Sequence, residues 1–380
     1  MKQFQARVNN VSEDILGIIT NKPLLFGRSR YVLLGEYFEG KAGYIATISY
    51  SDKVSGTQPI VYCIPRDIKL NNGDVILITS SGLCTVLYEI NSAHNAIMAT
   101  ERCNHRCIMC PQPPITRETD KTEFNIRLID LFDSSTKEVG ITGGEPTLIG
   151  DNLFVLIRHI QKTLPKAAIS ILSNGVKFSD RDFTKKLALC NHFDIQIDIP
   201  IFSDIAEVHN QIVGAKSFYM TVQGLYNLAR FRQRIGIRVV VHKQTYRRLP
   251  QLADYIYHNF PFVSQVAFMQ METIGLAASN IEQLWIDPFD YKEELREAVL
   301  LLRDRGIPSF VYNAQLCVIP EDIREYAIQS ISDWKDIYIN ECSECACKGA
   351  CAGFFESNKD YHSAHIKALS EPINKPICLT

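Results

Sequence analysis

The chain has 380 residues, enough for roughly two to three domains, and its 46% hydrophobic and 22% charged residues are those of an ordinary folded protein, which excludes disordered, collagen-like and simple repeat classes. Forty Lys and Arg against 42 Asp and Glu leave a formal net charge of -2, so nothing pulls the chain as a whole toward nucleic acid or an anionic membrane. No apolar run approaches the roughly 18 residues of a membrane helix, and the first residues lack the apolar core of a signal peptide. A cytoplasmic location is expected, where the twelve cysteines serve as metal ligands or buried thiols rather than disulfides.

Residues 1–92 carry short apolar runs at Tyr31–Leu34, Tyr44–Ile48, Ile60–Ile64, Asp74–Ile78 and Cys84–Tyr88, separated by Gly, Ser, Asn and Asp clusters. That spacing predicts a small antiparallel, barrel-like β domain, with hairpin chemistry at Asn71-Asn72-Gly73-Asp74 and Ser80-Ser81-Gly82. Cys63 and Cys84 lie within apolar runs and read as small buried hydrophobes. The domain offers no catalytic residue pattern, and docking is its expected use.

Over residues 93–308 strands alternate with longer amphipathic stretches, the pattern of a βα repeat around a parallel sheet. The strands are expected at Asn95–Thr100, Glu138–Thr142, Ala168–Leu172, Asp194–Ile199, Ile237–His242 and Gln265–Gln270. Helical stretches are expected at Asp151–Leu164, Lys216–Arg234, Leu249–Asn259 and Tyr291–Arg305. Cys103, Cys107 and Cys110 follow the first strand at the spacing C-x3-C-x2-C. Crowded thiolates suit a soft metal, but a structural zinc site or an ordinary electron-transfer cluster takes four protein ligands. Three cysteines on a [4Fe-4S] cluster leave one iron open for a substrate or cofactor; three buried thiols packed as small hydrophobes are the plainer alternative.

The second strand ends in Gly143-Gly144-Glu145-Pro146, where glycines let backbone approach a ligand and a carboxylate can accept from an ammonium. The third ends in Leu172-Ser173-Asn174-Gly175. In the fourth, Asp194, Gln196 and Asp198 alternate with isoleucines, so the isoleucines face helices and Asp198 faces a ligand-filled lumen. Arg238 on the fifth strand can point inward as a bidentate anion ligand. From about Ser309 onward, Cys317 and the run Cys342-x2-Cys345-x-Cys347-x3-Cys351 exceed any packing need. Residues 309–380 thus read as a cysteine-rich region holding either an auxiliary Fe–S cluster or a structural zinc, with Cys317, Cys342, Cys345 and Cys351 as the preferred ligands. Cys190 and Cys378 read as strays.

The cysteine loop, followed one βα unit later by Gly-Gly-Glu-Pro, resembles that of the radical S-adenosylmethionine (SAM) enzymes. The resemblance implies an α/β fold, an open partial (β/α)6 barrel with the site at the C-terminal ends of the strands. It implies a [4Fe-4S] cluster on Cys103, Cys107 and Cys110, an open iron that chelates SAM, and a 5′-deoxyadenosyl radical made by its reductive cleavage with electrons from an external reductant. Met109, where an aromatic residue is usual, is expected against the adenine. Gly143, Gly144, Glu145 and Pro146 are expected at the SAM amino group, Ser173 and Asn174 near the ribose, Asp198 at a SAM hydroxyl or the substrate, Arg238 at the SAM carboxylate, and Met271–Ala277 at the adenine.

Further strings are similar to the radical SAM maturase of the His-Xaa-Ser repeat systems: Cys103–Pro114, Leu284–Tyr291, Tyr312–Cys317, Ser330–Lys335 and Cys351–Phe355. They imply modification of a ribosomally made precursor peptide or small protein, together with a companion radical SAM maturase. Two other readings compete. One is a radical SAM enzyme acting on a small molecule in cofactor biosynthesis, of the molybdopterin-cyclase kind; the other is a non-catalytic Fe–S or zinc interaction module.

Overall fold

A computed structural model describes residues 2–35, 42–116, 120–329, 337–359 and 361–373. Sixteen strands among them form two eight-stranded sheets. By internal contacts the chain divides into one unit of Met1–Ile97, Lys121–Gly140 and Val155–Ala168, and a second of Met98–Asp120, Ile141–Phe154 and Ile169–Thr380.

The first sheet is built from β1 (Gln3–Gln5), β2 (Arg7–Asn9), β3 (Ile15–Thr20), β4 (Tyr31–Leu34), β5 (Ala46–Ile48), β6 (Ile60–Tyr62), β7 (Val75–Ile78) and β8 (Leu83–Tyr88), in the order β1-β8-β7-β3-β4-β5-β6-β2. Its two edge strands, β1 and β2, are separated in sequence by Ala6 alone. Because consecutive Cα atoms lie only about 3.8 Å apart, the edges must meet, and the sheet is rolled as the sequence predicts. The all-antiparallel expectation is corrected, since β3, β4, β5 and β6 pair in parallel succession. Only the turn at Ser80–Gly82 joins sheet neighbours, with Gly82 at φ 84°; the turn at Asn71–Asp74 leads into β7, which pairs with β3 and β8. Ile19, Val32, Ile48, Val61, Ile76, Ile78 and Cys84 fill this unit's core, and burial pushes the Cys84 thiol up to about 12. Cys63 lies one residue past the end of β6, half-buried, at φ 59°.

The second sheet runs in sequence order: β9 (Asn95–Thr100), β10 (Glu138–Gly143), β11 (Ala168–Leu172), β12 (Ile195–Pro200), β13 (Arg234–Val241), β14 (Gln265–Gln270), β15 (Ser309–Tyr312) and β16 (Ala327–Ile328). Pairing from β11 through β16 is parallel, and β9 and β16 are open edges. The helices are α1 (Thr122–Ile129), α2 (Asn152–Thr163), α3 (Arg181–Ala188), α4 (Ala206–Val213), α5 (Phe218–Arg230), α6 (Leu249–Asn259), two short turns α7 (Leu276–Ser279) and α8 (Ile281–Leu284), and α9 (Lys292–Asp304). This is the expected open α/β barrel, lengthened by two strands, β15 and β16, from the segment assigned by sequence to the C-terminal region. The helix expected to reach Arg234 stops at Arg230, because Arg232 adopts a left-handed conformation at φ 56° and frees Arg234 to begin β13.

Register explains the lumen. Ile197, Ile199, Ile235, Ile237, Val239, Val266 and Phe268 are essentially fully buried, whereas the alternate residues Gln196, Arg238, Met269 and Tyr312 keep partial exposure. No helix among the described residues is long and apolar enough to cross a membrane.

Candidate functional site

Cys103, Cys107 and Cys110 leave the C-terminal end of β9 on one loop, all three partly buried. A turn closes it, with Cys110 N donating to Cys107 O at 3.0 Å. The amide of His105 donates to Cys103 Sγ at 3.3 Å, and the Cys110 thiol donates to Gln112 O at 3.0 Å. Burial pushes all three thiols up, and for Cys107 the neighbouring Cys110 and Cys103 add to burial, bringing it to about 12. The sulfurs are near enough to oppose one another's ionisation, a conflict that a bound cationic centre resolves. Among the described residues no three His, Cys, Asp or Glu side chains converge on a single ion. A cluster distributes its thiolates over separate irons, so this three-thiol donor set fits a [4Fe-4S] group better than one metal ion.

Four pieces of chain hold the loop. At the end of β10, Gly144 N donates to Thr100 O and Glu145 N to Arg102 O, each at 2.8 Å. A Cβ at Gly143 would lie 2.1 Å from Thr100 O, and one at Gly144 2.2 Å from Arg102 O. The glycine pair therefore lets backbone pack on backbone at the root of the cysteine loop. Asn174 Nδ2, at the end of β11, donates to Asn104 Oδ1 at 2.6 Å. The C-terminus of α4 accepts Arg106 N at Val213 O and Ile108 N at Ile212 O, each at 2.9 Å, and Gly214 at φ 64° ends that helix against Arg106. Beyond β14, Leu276 N donates to Cys110 O and Asn280 Nδ2 to Ile108 O, both at 2.8 Å. There Gly275, at φ 59°, leaves room that a Cβ would take from Cys110 O.

Several expected ligand contacts are spent inside the protein. Glu145 is 1% exposed. Its Oε1 accepts from Thr147 N, Thr147 Oγ1 and Ser173 Oγ, and its Oε2 from Asn174 N at 2.6 Å. Burial pushes its acid up while these donors pull the other way. The carboxylate expected at an ammonium is thus an internal tie between the ends of β10 and β11. Pro146 is buried at the first position of a short 3-10 turn that Glu145 caps. Ser173 and Asn174 are buried too, the Ser173 hydroxyl also accepting from Gly175 N. Met109 is buried in an apolar cluster with Phe202, Ile212, Val213, Met271, Ala277 and Leu284, so its thioether packs as core.

Asp198 and Arg238 do share the lumen. Asp198 pairs in register with Gly236, whose missing side chain makes room for the carboxylate; Gln196 Nε2 donates to Asp198 Oδ1 at 2.8 Å and Arg234 Nε to Gln196 Oε1 at 2.8 Å. Burial lowers the Arg238 guanidinium, and Asp198 and Tyr312 oppose that shift. Asp198 on β12 and Tyr312 on β15 are thus the groups whose negative charge supports the Arg238 cation.

The C-terminal cysteines meet around one small cavity lined by Cys317, Cys342, Cys345, Cys347 and Cys351. Burial raises Cys317, Cys342 and Cys351, and neighbouring cysteines raise them further. Leu369 N donates to Cys345 Sγ at 3.4 Å, and backbone hydrogen bonds reach Cys317 from Lys367, Cys342 from Ile339 and Cys351 from Gly353 and Leu316. Cys347 differs: 2% exposed, it donates its thiol to Glu371 O at 3.0 Å. Cys190 is buried against Lys186 O; Cys378 and the Ser330–Lys335 string lie outside the described residues. Sequence reasoning missed Gly214 and Asn280; Asn104 lay inside the cysteine motif and Gly275 inside the Met271–Ala277 segment, each without the loop-holding role it has here.

A three-cysteine loop at the C-terminal end of the first strand of an open parallel sheet defines the class, an open α/β barrel with its candidate site at the strand ends. Residues 97–256 match the Radical SAM superfamily. Over 117 residues the chain is 31% identical to a GTP 3',8-cyclase of Desulforamulus reducens, covering 29% of this chain and 36% of that protein. A tungsten-containing aldehyde ferredoxin oxidoreductase cofactor-modifying protein of Pyrococcus furiosus is 28% identical over 172 residues, 41% of this chain and 46% of that one. An Fe-coproporphyrin III synthase of Methanosarcina barkeri is 26% identical over 212 residues, 54% and 49%. The alignments thus span between about a third and a half of these relatives. Among solved structures, SuiB of Streptococcus suis superposes with a TM-score of 0.49 at 15% identity, over 68% of this chain and 56% of that one.

Proposed function

We propose that this chain is a radical SAM maturase that reductively cleaves SAM to modify a ribosomally made peptide or small protein of the His-Xaa-Ser type. The observation that carries the SAM-cleaving part is the three-thiol loop at the C-terminal end of β9, gripped by four pieces of chain. A [4Fe-4S] cluster on Cys103, Cys107 and Cys110 would supply the electron and the open iron for SAM. The chain's own residues hold and orient: Gly143, Gly144 and Glu145 fix the loop root, Ser173 and Asn174 fix its flank, Arg238 offers a bidentate site for a carboxylate, and Asp198 lies beside it on the adjoining strand. Cys317, Cys342, Cys345 and Cys351 are proposed as the ligands of an auxiliary [4Fe-4S] cluster, with zinc as the alternative occupant.

The peptide substrate rests on the linked strings at Leu284–Tyr291, Tyr312–Cys317 and Cys351–Phe355. A companion radical SAM maturase, an external reductant and a cytoplasmic setting belong to the same reading, and the residues 1–92 domain is proposed to dock the peptide or the companion. A second reading, a small-molecule enzyme, is favoured by relatives named for GTP, a cofactor and Fe-coproporphyrin III. The two are separated by incubating the reduced protein with SAM and either a candidate His-Xaa-Ser peptide or GTP. A mass change on the peptide alone supports the maturase; a new product from GTP alone supports the other.

A further inference from the structure

Beyond β14 the chain makes a buried junction with the C-terminal segment. Thr273 is 7% exposed and Asn358 5%. Thr273 N donates to Asn358 Oδ1 at 3.1 Å, the Thr273 hydroxyl donates to Ser357 O at 2.6 Å and sits 2.9 Å from Asn358 Oδ1, and Asn358 Nδ2 donates to Met271 O at 3.1 Å. One amide side chain thus satisfies groups on both sides of residue 272, and a buried amide so committed is costly to remove.

The segment it grips is the one that holds the cysteine loop. Met271 packs in the same apolar cluster as Met109. Two residues past Thr273, Gly275 lies against Cys110 O and Pro111 O, Leu276 N donates to Cys110 O, and Asn280 Nδ2 donates to Ile108 O. On its other side Asn358 follows the C-terminal cysteines: Gln315 Nε2, two residues before Cys317, donates to Gly353 O at 2.7 Å, two residues after Cys351. The chain is continuous from one cysteine group, through Asn358 and Thr273, to the other.

We infer that Asn358 is a positioning residue for the Cys103–Cys110 loop, which it holds from the C-terminal cysteine region through Met271, Thr273 and the 275–280 segment. The inference deepens the proposed function, resting on the reading of that loop as the cofactor loop. It makes the C-terminal region part of the support of the SAM site, apart from any electron it accepts.

The test compares wild type, Asn358→Ala and Thr273→Ser, each anaerobically reconstituted, by amide hydrogen exchange and by SAM affinity in equilibrium dialysis. In Asn358→Ala, peptides spanning residues 104–111 and 273–280 should exchange about tenfold faster or more, and SAM affinity should fall by about the same factor, the scale of one buried hydrogen bond. Peptides spanning 75–88 should be unchanged, and Thr273→Ser, which keeps the hydroxyl and the amide donor, should exchange more slowly over 104–111 than Asn358→Ala. Faster exchange confined to 353–361 and 271–274, with 104–111 at the wild-type rate, overturns the inference. Should Asn358→Ala fail to fold, Thr273→Val, which removes the hydroxyl and keeps the amide donor, is read in the same way. If wild type itself binds no SAM, the proposed function fails, and the exchange data still decide the positioning role.

Discussion

Glu145 illustrates how residue type and residue role separate. Both of its oxygens are filled by Thr147, Ser173 and Asn174. Glu145→Gln would turn an amide NH2 toward one of those donors, so the metal-free variant should lose about 1–3 kcal/mol of stability. Thermal unfolding checks this; an unchanged midpoint together with weaker SAM binding would restore the direct ammonium contact. His242 gives a second residue-scale expectation. It is 1% exposed, its Nδ1 accepts from Gln244 N, and burial lowers its pKa to about 4. The unfolded ring takes its proton near pH 6.5, whereas the folded one resists until about pH 4. Its stabilising contribution is therefore complete above pH 6.5 and falls by about 1.4 kcal/mol per unit as pH drops toward 4. His242→Gln should remove about one proton's worth of that slope in denaturant titrations across this range; an unchanged slope would contradict the assignment.

At the scale of elements, the glycines at the end of β10 set how closely it approaches the cysteine loop. A Gly144→Ala Cβ would sit 2.2 Å from the Arg102 carbonyl, so backbone must shift. Reconstituted Gly144→Ala should hold about four fewer irons than wild type, read by metal analysis, while retaining the first sheet's circular dichroism; full iron loading would show that the loop tolerates the shift. The local parts of this arrangement were legible in the sequence. C-x3-C-x2-C, Gly-Gly-Glu-Pro and the Asp194–Ile199 alternation each lie within a few residues, and β9, β11, β14 and α6 have the expected bounds. What the motifs grip was not legible. Gly214, Gly275, Asn280 and Asn358 reach the site from about 100 to 250 residues away in the chain, a distance at which periodicity carries no information. The same limit hid the parallel pairing of β3 to β6 and the short strands β1 and β2, whose Gln, Arg and Asn residues give little strand signal.

For the molecule as a whole, the two cysteine groups predict a metal count. If Cys317, Cys342, Cys345 and Cys351 bind a second cluster, reconstituted protein should hold about eight irons, against about four plus one zinc for a structural zinc site. Cys347→Ser should leave either count unchanged, since that thiol is committed to Glu371 O. Loss of metal in Cys347→Ser would place it among the ligands. The measurement that bears most directly on the central claim is 5′-deoxyadenosine formed from SAM by the anaerobically reconstituted, dithionite-reduced chain, compared with its Cys107→Ala variant. Wild type should form 5′-deoxyadenosine and the variant none; equal production by both, or none by fully iron-loaded wild type, would contradict the account.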